Sequence, residues 1–362
     1  MQLAPAFHSI QASALEIPFK RPFARRTATQ SIWVRVKGAD GAAGFGEGCL
    51  RELATGESLH DAQAFVAARA EWWQRRIGDV DDLAGWVRAY GIEIDANPAA
   101  WTAVELALLD LFGKRADRPV EALLGLPLLE GTFRYAALLG EAPAADLAQA
   151  RAAGFRDFKV TLAGDRARDE VLVDALRAAG VSPRRVRADA RNLWTNADDA
   201  IGYLGALDFA FVALEDPLAG RDYAGMARLA RELDTHVVLD ESVARADQVI
   251  ALPGAADRWL VNVRVSKMGG LLRALEFVRE ARGRGLRMIV GACPGETSVL
   301  TRAALVVASA AGDALAGQEG ALGTHLLERD VAEPSLRYGA GGVFDASASG
   351  IGRAPGLGLA IS

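Results

Sequence analysis

The chain has 362 residues, 51% of them hydrophobic and 24% charged, with a formal net charge of −5. That is enough apolar material for a large core and excludes a disordered chain, and a mildly acidic balance with scattered basic residues argues against a primary nucleic-acid binder. Two cysteines, Cys49 and Cys293, cannot build a disulfide framework or, by themselves, a tetrahedral zinc site, and they fit a reducing cytoplasm.

Met1 to Ile10 shows no basic start followed by an apolar stretch, so no signal peptide is expected. Residues 31–37 (Ser-Ile-Trp-Val-Arg-Val-Lys) alternate like a strand, and the glycine-rich residues 38–48 turn back beside it, which predicts a small antiparallel sheet. Residues 58–76 and 98–114 read as helices. Pro119 and the Gly125-Leu126-Pro127 stretch mark a break.

From about Phe133 the rhythm changes. Short apolar runs at 135–139, 155–162, 186–190, 211–215, 237–240, 260–265 and 288–291 are each followed by a charged, alanine-rich helical stretch, and a weaker eighth run lies near 314–319. Repeated βα units of roughly 25 residues, eight in number, predict an α/β fold with a closed parallel barrel rather than an open sheet. No G-x-G-x-x-G follows an early strand, which weakens a dinucleotide-binding reading. The apolar run 303–312 is about half the length of a membrane span, and residues 303–317 read as an amphipathic helix, so no membrane partner is expected.

Chemistry in such a barrel sits at the carboxyl ends of the strands. Three consecutive runs end in acids: Val-Arg-Ala-Asp189, Val-Ala-Leu-Glu215 and Val-Val-Leu-Asp240. Each acid alone also reads as the N-cap of the following helix. Three in register on neighbouring strands point instead to a shared cation, because carboxylates held together repel unless a positive charge joins them. An oxygen-only ligand set suits a hard ion such as Mg²⁺.

With these motifs in order, the sequence resembles the enolase superfamily, muconate-lactonizing and mandelate-racemase subgroup, over nearly its whole length. Phe45-Gly46-Glu47-Gly48 and Thr55-Gly56-Glu57 are similar to the cap signature, and residues 104–111 to the helix leading into the barrel. Asp189-Ala190-Arg191-Asn192-Leu193-Trp194, Glu215-Asp216-Pro217-Leu218 and Asp240-Glu241-Ser242 match the three ligand motifs. Gly269-Gly270 and Pro355-Gly356-Leu357-Gly358 also fit. The resemblance implies a TIM-type (β/α)7β barrel with an α+β capping domain formed from the N-terminal third and the C-terminal tail: 1–128 cap, 129–325 barrel, 326–362 returning to the cap. It implies Mg²⁺ on Asp189, Glu215 and Asp240, a small-molecule carboxylate substrate that loses its α-proton, and a homo-oligomer.

The chain departs from that pattern where the family places its two lysine bases. The Lys-x-Lys run on strand two reads Phe158-Lys159-Val160-Thr161, and the Asn-x-Lys run on strand six reads Asn262-Val263-Arg264. A threonine hydroxyl is a poor base unless activated, and arginine stays protonated. Lys159 is therefore the candidate base or, alternatively, the charge partner of a ligand carboxylate, with a pKa that desolvation and a neighbouring cation would lower. Arg264 is a candidate to hold a carboxylate.

Glu296 matches a family position near substrate. Cys293 reads as a site thiol or a small core filler, and Lys267 as a mouth residue or, more often at such a place, a surface one. Glu319 keeps the second acid of the family's Asp-x-Asp near strand eight. Arg25, Arg26 and Arg51 in the cap loops are candidates for a second anionic group of the substrate, with solvated charge as the plain alternative. His325 is a weaker candidate base, while His8, His60 and His236 read as structural. The expected activity is an isomerase or lyase other than a two-lysine racemase; the alternative is a metal- and carboxylate-binding homologue without turnover.

Overall fold

The structure is a computed structural model and describes residues 6–23, 26–50, 56–140, 142–250, 252–320 and 322–362. Strands Phe7–Leu15, Ser31–Gly38 and Ala43–Cys49 form an antiparallel sheet with Ser31–Gly38 in the middle. Helices Leu59–Arg76 and Pro98–Ala116 follow. The first is capped by Ser58, whose hydroxyl accepts the Asp61 N–H, and the second has Pro98 in its first turn, where the missing N–H costs nothing.

The glycines of Ala43–Cys49 have a packing role that a turn-and-return reading misses. Gly44, Gly46 and Gly48 share one face, and a Cβ on each would lie 2.0, 2.0 and 1.9 Å from the carbonyl oxygens of Ala107, Ala103 and Ala99. The sheet therefore lies directly on the backbone of Pro98–Ala116, which is buried from Pro98 to Gly113. Close approach of two backbones is what a period-two glycine stripe permits.

The eight parallel strands are Ala137–Leu138, Phe158–Thr161, Val186–Asp189, Ala213–Glu215, His236–Leu239, Trp259–Val263, Arg287–Val290 and Leu315–Gln318, hydrogen-bonded in chain order. A parallel bridge between Tyr135 and Gln318, with Ala136 N donating to Gln318 O at 2.9 Å, joins the last strand to the first. Ala213, Val238, Leu260 and Ile289 fill the interior as one apolar layer. Counting two residues on from that layer along three strands reaches Glu215, Asp240 and Asn262, so strand alternation alone lifts polar side chains to the carboxyl end.

The amphipathic helix expected over 303–317 is instead Ser298–Ala311, buried along nearly its whole length. Thr297 caps its start, and Gly312 at φ +54 ends it, freeing Leu315–Gln318 to be the eighth strand. The helix packs on both the neighbouring barrel elements and the cap strand Ala43–Cys49, and its buried Arg302 pairs with Glu121 at 2.7 Å.

The last residues touch both halves. Val343–Asp345 pairs with Thr132–Arg134, Leu327 bridges Phe19, and Leu357 N donates to Asp110 Oδ1 at 2.9 Å. Two buried acids clasp cap to barrel: Glu47 accepts from the Thr297 hydroxyl at 2.6 Å, and Glu105 accepts from Leu272 N at 2.9 Å. Among the described residues no helix is long and apolar enough to cross a membrane.

Candidate active site

Strands three, four and five deliver Asp189, Glu215 and Asp240 to the carboxyl end of the barrel, with Asp189 and Glu215 directly paired across the sheet. Glu215 and Asp240 are buried and Asp189 is half-buried. Lys159 rises from strand two among them. Its ammonium lies 2.6 Å from Glu215 Oε2, 3.4 Å from Asp189 Oδ2 and 3.0 Å from Glu319 Oε2. A second cation, Arg187 Nη2, reaches the other Glu319 oxygen at 3.0 Å.

The surrounding charges bear directly on the Lys159 ammonium. Burial works to lower the Lys159 ammonium, but Glu215, Glu319, Asp189 and Asp240 together hold it above its ordinary range. In this geometry Lys159 is a charge partner of the carboxylates. Burial pushes the Glu215 carboxyl well up and Asp189 up, because several acids share that one ammonium. Burial also opposes the Glu319 charge, yet Lys159 and Arg187 together hold its carboxyl below the usual range.

Asp240 sits in a different environment. Arg264 Nε donates to Asp240 Oδ1 at 2.9 Å, its Nη2 donates to Oδ2, and the same Nη2 reaches Glu241 Oε1 at 2.7 Å. Burial opposes the Asp240 charge, but Arg264 and Lys267 overcome it and keep the carboxyl below the usual range. Lys267 is no surface residue. It is 3% exposed, and its ammonium donates to the carbonyls of Asp240, Val243 and Asn262 at 2.6, 2.8 and 2.7 Å and lies 3.1 Å from Asp240 Oδ1. The short helix Val265–Met268 turns the side chain back under the strand-five loop, which the sequence spacing did not reveal.

Thr161, at the end of strand two, is half-buried, and its hydroxyl accepts from Arg191 at 3.5 Å. Glu296 is buried and accepts the Cys293 N–H at 2.7 Å, and Cys293 lies 3.8 Å from Arg264 Nη1. His325 stacks on Tyr338 at 4.1 Å, and burial lowers its pKa. His236 Nδ1 meets Val212 O at 2.9 Å, at the opposite end of the barrel. Arg25 and Arg51 lie outside the described residues; Arg26 Nη1 reaches Pro294 O at 3.5 Å and Nη2 reaches Gln30 at 3.1 Å.

Three participants escaped the sequence reading. Arg187 is one, although it stands two residues before Asp189 and so shares its face. Asn262 is another, donating to Glu215 Oε1 at 3.3 Å. Asp216 is the third. At φ +36, it turns its carboxylate under the next strand end and accepts from Asp240 N at 3.1 Å and from the Ser242 hydroxyl. An aspartate held at positive φ, where most residues avoid the backbone conformation, is the structural mark of that role.

The donor set of Asp189, Glu215 and Asp240 is all oxygen, and Glu215 Oε2 is fully buried with no aligned hydrogen bond. These side chains fit a hard divalent cation, and the lysine ammonium against them shows that positive charge is their complement.

Comparison with known proteins agrees with this layout. Residues 7–125 match the mandelate racemase / muconate lactonizing enzyme N-terminal domain, and residues 143–362 match the family described as enolase C-terminal domain-like. The chain is 26% identical to an N-succinyl-L-Arg/Lys racemase of Bacillus cereus over 322 residues, 83% of each chain. It is 27% identical to an o-succinylbenzoate synthase of Geobacillus kaustophilus over 350 residues, 93% of this chain and 89% of that one. A dipeptide epimerase of Enterococcus faecalis, solved with Mg and the dipeptide L-Leu-L-Tyr, superposes with a TM-score of 0.80 at 23% identity, covering 98% of this chain and 99% of that one.

Proposed function

The chain belongs to the mandelate racemase / muconate lactonizing enzyme family of the enolase superfamily, and from that premise we propose that it is a Mg²⁺-dependent enzyme that removes a proton α to a substrate carboxylate. One observation carries the reading: three carboxylates on consecutive strand ends converge on the barrel mouth with cationic side chains drawn against them. Asp189, Glu215 and Asp240 would hold the ion. When bound, Mg²⁺ supplies positive charge that favours the doubly charged enediolate over the ground state.

The chain's own residues set which reaction follows. Arg264 is fixed on Asp240 and Glu241 and stays protonated, so it positions the ligand aspartate and offers charge to an anionic oxygen rather than taking a proton. Thr161 has an arginine, not a base, at its hydroxyl. Lys159 is the remaining amine at the mouth, and it can take a proton only once a bound cation neutralises the carboxylates that hold its ammonium charged. A single acid/base group favours elimination or a one-faced isomerisation, since racemisation needs a proton donor on the opposite face. The reaction is therefore an isomerase or lyase step on a small carboxylate, distinct from two-lysine racemisation.

The test is solvent exchange. Purified protein with Mg²⁺ is incubated in D₂O with a broad set of carboxylic acids, and α-proton loss is followed by NMR. Exchange that disappears in Lys159→Ala supports the reading; no exchange with any acid sinks it. A second reading, a metal- and carboxylate-binding homologue without turnover, is favoured by the intact acids standing beside Thr161 and Arg264, neither of which accepts a proton readily. Tight Mg²⁺ and carboxylate binding with no exchange would select it.

A further inference from the structure

The two cysteines meet. Cys49 ends the last strand of the cap sheet, and Cys293 lies in the loop after the seventh barrel strand; they are 0% and 1% exposed. Glu296 bends back to the same place. The two sulfurs and a Glu296 oxygen all lie within 4.8 Å of one another. In a tetrahedral zinc site with Zn–S near 2.3 Å, neighbouring sulfurs stand about 3.8 Å apart, so these donors need close by no more than about 1 Å.

The backbone holding them is already fixed. Cys49 N donates to Ser266 Oγ at 3.0 Å. Cys293 N donates to Glu296 Oε1 at 2.7 Å, while Glu296 N donates back to Cys293 O at 3.1 Å. Two thiols and a carboxyl make a softer set than the all-oxygen group across Arg264. Charge is met in part: two thiolates and a carboxylate would face a divalent ion, and the Arg264 guanidinium, shared with Asp240 and Glu241, lies with its Nη1 3.8 Å from Cys293 Sγ. With no ion, three polar groups are crowded into one buried spot, and burial holds the Glu296 carboxyl well above its usual range.

We infer that Cys49, Cys293 and Glu296 form a three-ligand site for a thiophilic divalent cation of the zinc class, its fourth position open, tying the cap to the barrel mouth. Binding releases the thiol and carboxyl protons to solvent. The site is separate from Asp189, Glu215 and Asp240 and stands whether or not the chain removes α-protons.

The test uses the reduced full chain, stripped of transition metals and with Mg²⁺ kept saturating, titrated with Co²⁺ as the probe. One equivalent is expected to raise thiolate-to-cobalt charge-transfer absorption, which Zn²⁺ competes away. Cys49→Ser and Cys293→Ser should each abolish the bands, and Glu296→Gln should weaken Co²⁺ binding at least tenfold. Co²⁺ at the oxygen-only group gives no thiolate band, so failure here does not touch the α-proton reading. Absence of the band in the wild-type chain overturns the inference without relying on any variant. So does a band that survives both cysteine substitutions. Circular dichroism checks that the variants fold.

Discussion

Arg264 lies along the Asp240 carboxylate, Nε donating to Oδ1 at 2.9 Å while Nη2 donates to Oδ2 and to Glu241. A lysine at this place could make one such contact and lose its proton; the planar guanidinium makes several and keeps its charge. Arg264 is thereby a clamp on the fifth-strand acid.

Lysines at positions 161 and 264 should therefore speed proton transfer. The double variant Thr161→Lys/Arg264→Lys is expected to exchange α-protons at least tenfold faster than the wild-type chain, since a positioned acid/base group contributes about 10²–10⁴-fold. Deuterium incorporation in the presence of Mg²⁺ measures it. A variant that folds, binds Mg²⁺ and exchanges no faster contradicts the assignment of these two positions.

Asp216 should control the ion through Asp240. Its carboxylate fixes the Asp240 N–H and Ser242, so Asp216→Asn leaves the three oxygen ligands in place but loosens one of them. Loss of such a supporting contact typically costs 10–100-fold in metal affinity. Titration calorimetry with Mg²⁺ should show a weakening in that range with the thermal stability little changed.

The cap–barrel clasp at Glu105 should be pH-sensitive. Burial raises its carboxyl from 4.5 to about 7. The folded chain then binds more protons than the unfolded one between those values, so stability falls as pH rises through about 5 to 7 and levels off above. The contribution is a few kcal/mol at most, about 1.4 per pK unit. Chemical denaturation across this range should show the slope, and Glu105→Gln should reduce it, leaving the share of Glu47, which burial likewise raises to about 7.

Gly46→Ala should be costly although it adds one methyl group. The new Cβ would lie 2.0 Å from Ala103 O and 2.7 Å from Ala107 N, both backbone atoms of a fixed helix. Overpacking of this kind costs typically 1–3 kcal/mol, and a backbone obstacle places it near the upper end, about 3 kcal/mol. The midpoint of urea unfolding reads it; an unchanged midpoint would show that sheet and helix can separate freely.

Much of the barrel was legible because strand rhythm is local. The runs at 186–190 and 211–215 contain the observed strands, and the acid ending each run is a matter of counting. The helix expected over 303–317 is displaced toward the C-terminus for an equally local reason: alanine-rich sequence has no marker for where helix yields to strand except Gly312. The glycine stripe of Ala43–Cys49 carried a signal in its period of two that only its contact with Pro98–Ala116 made meaningful.

By itself the sequence carried the family in its motifs, and it determined the eight-strand barrel and the placing of Asp189, Glu215 and Asp240 at successive strand ends, because alternation and unit length are properties of the chain segment. Only the tertiary structure decided who partners whom. Lys159 meets Glu319 across 160 positions, and Cys49 lies beside Cys293. Closure of the barrel and docking of the cap bring such residues together, and their protonation follows from the burial and charges they share there rather than from any neighbour in the chain.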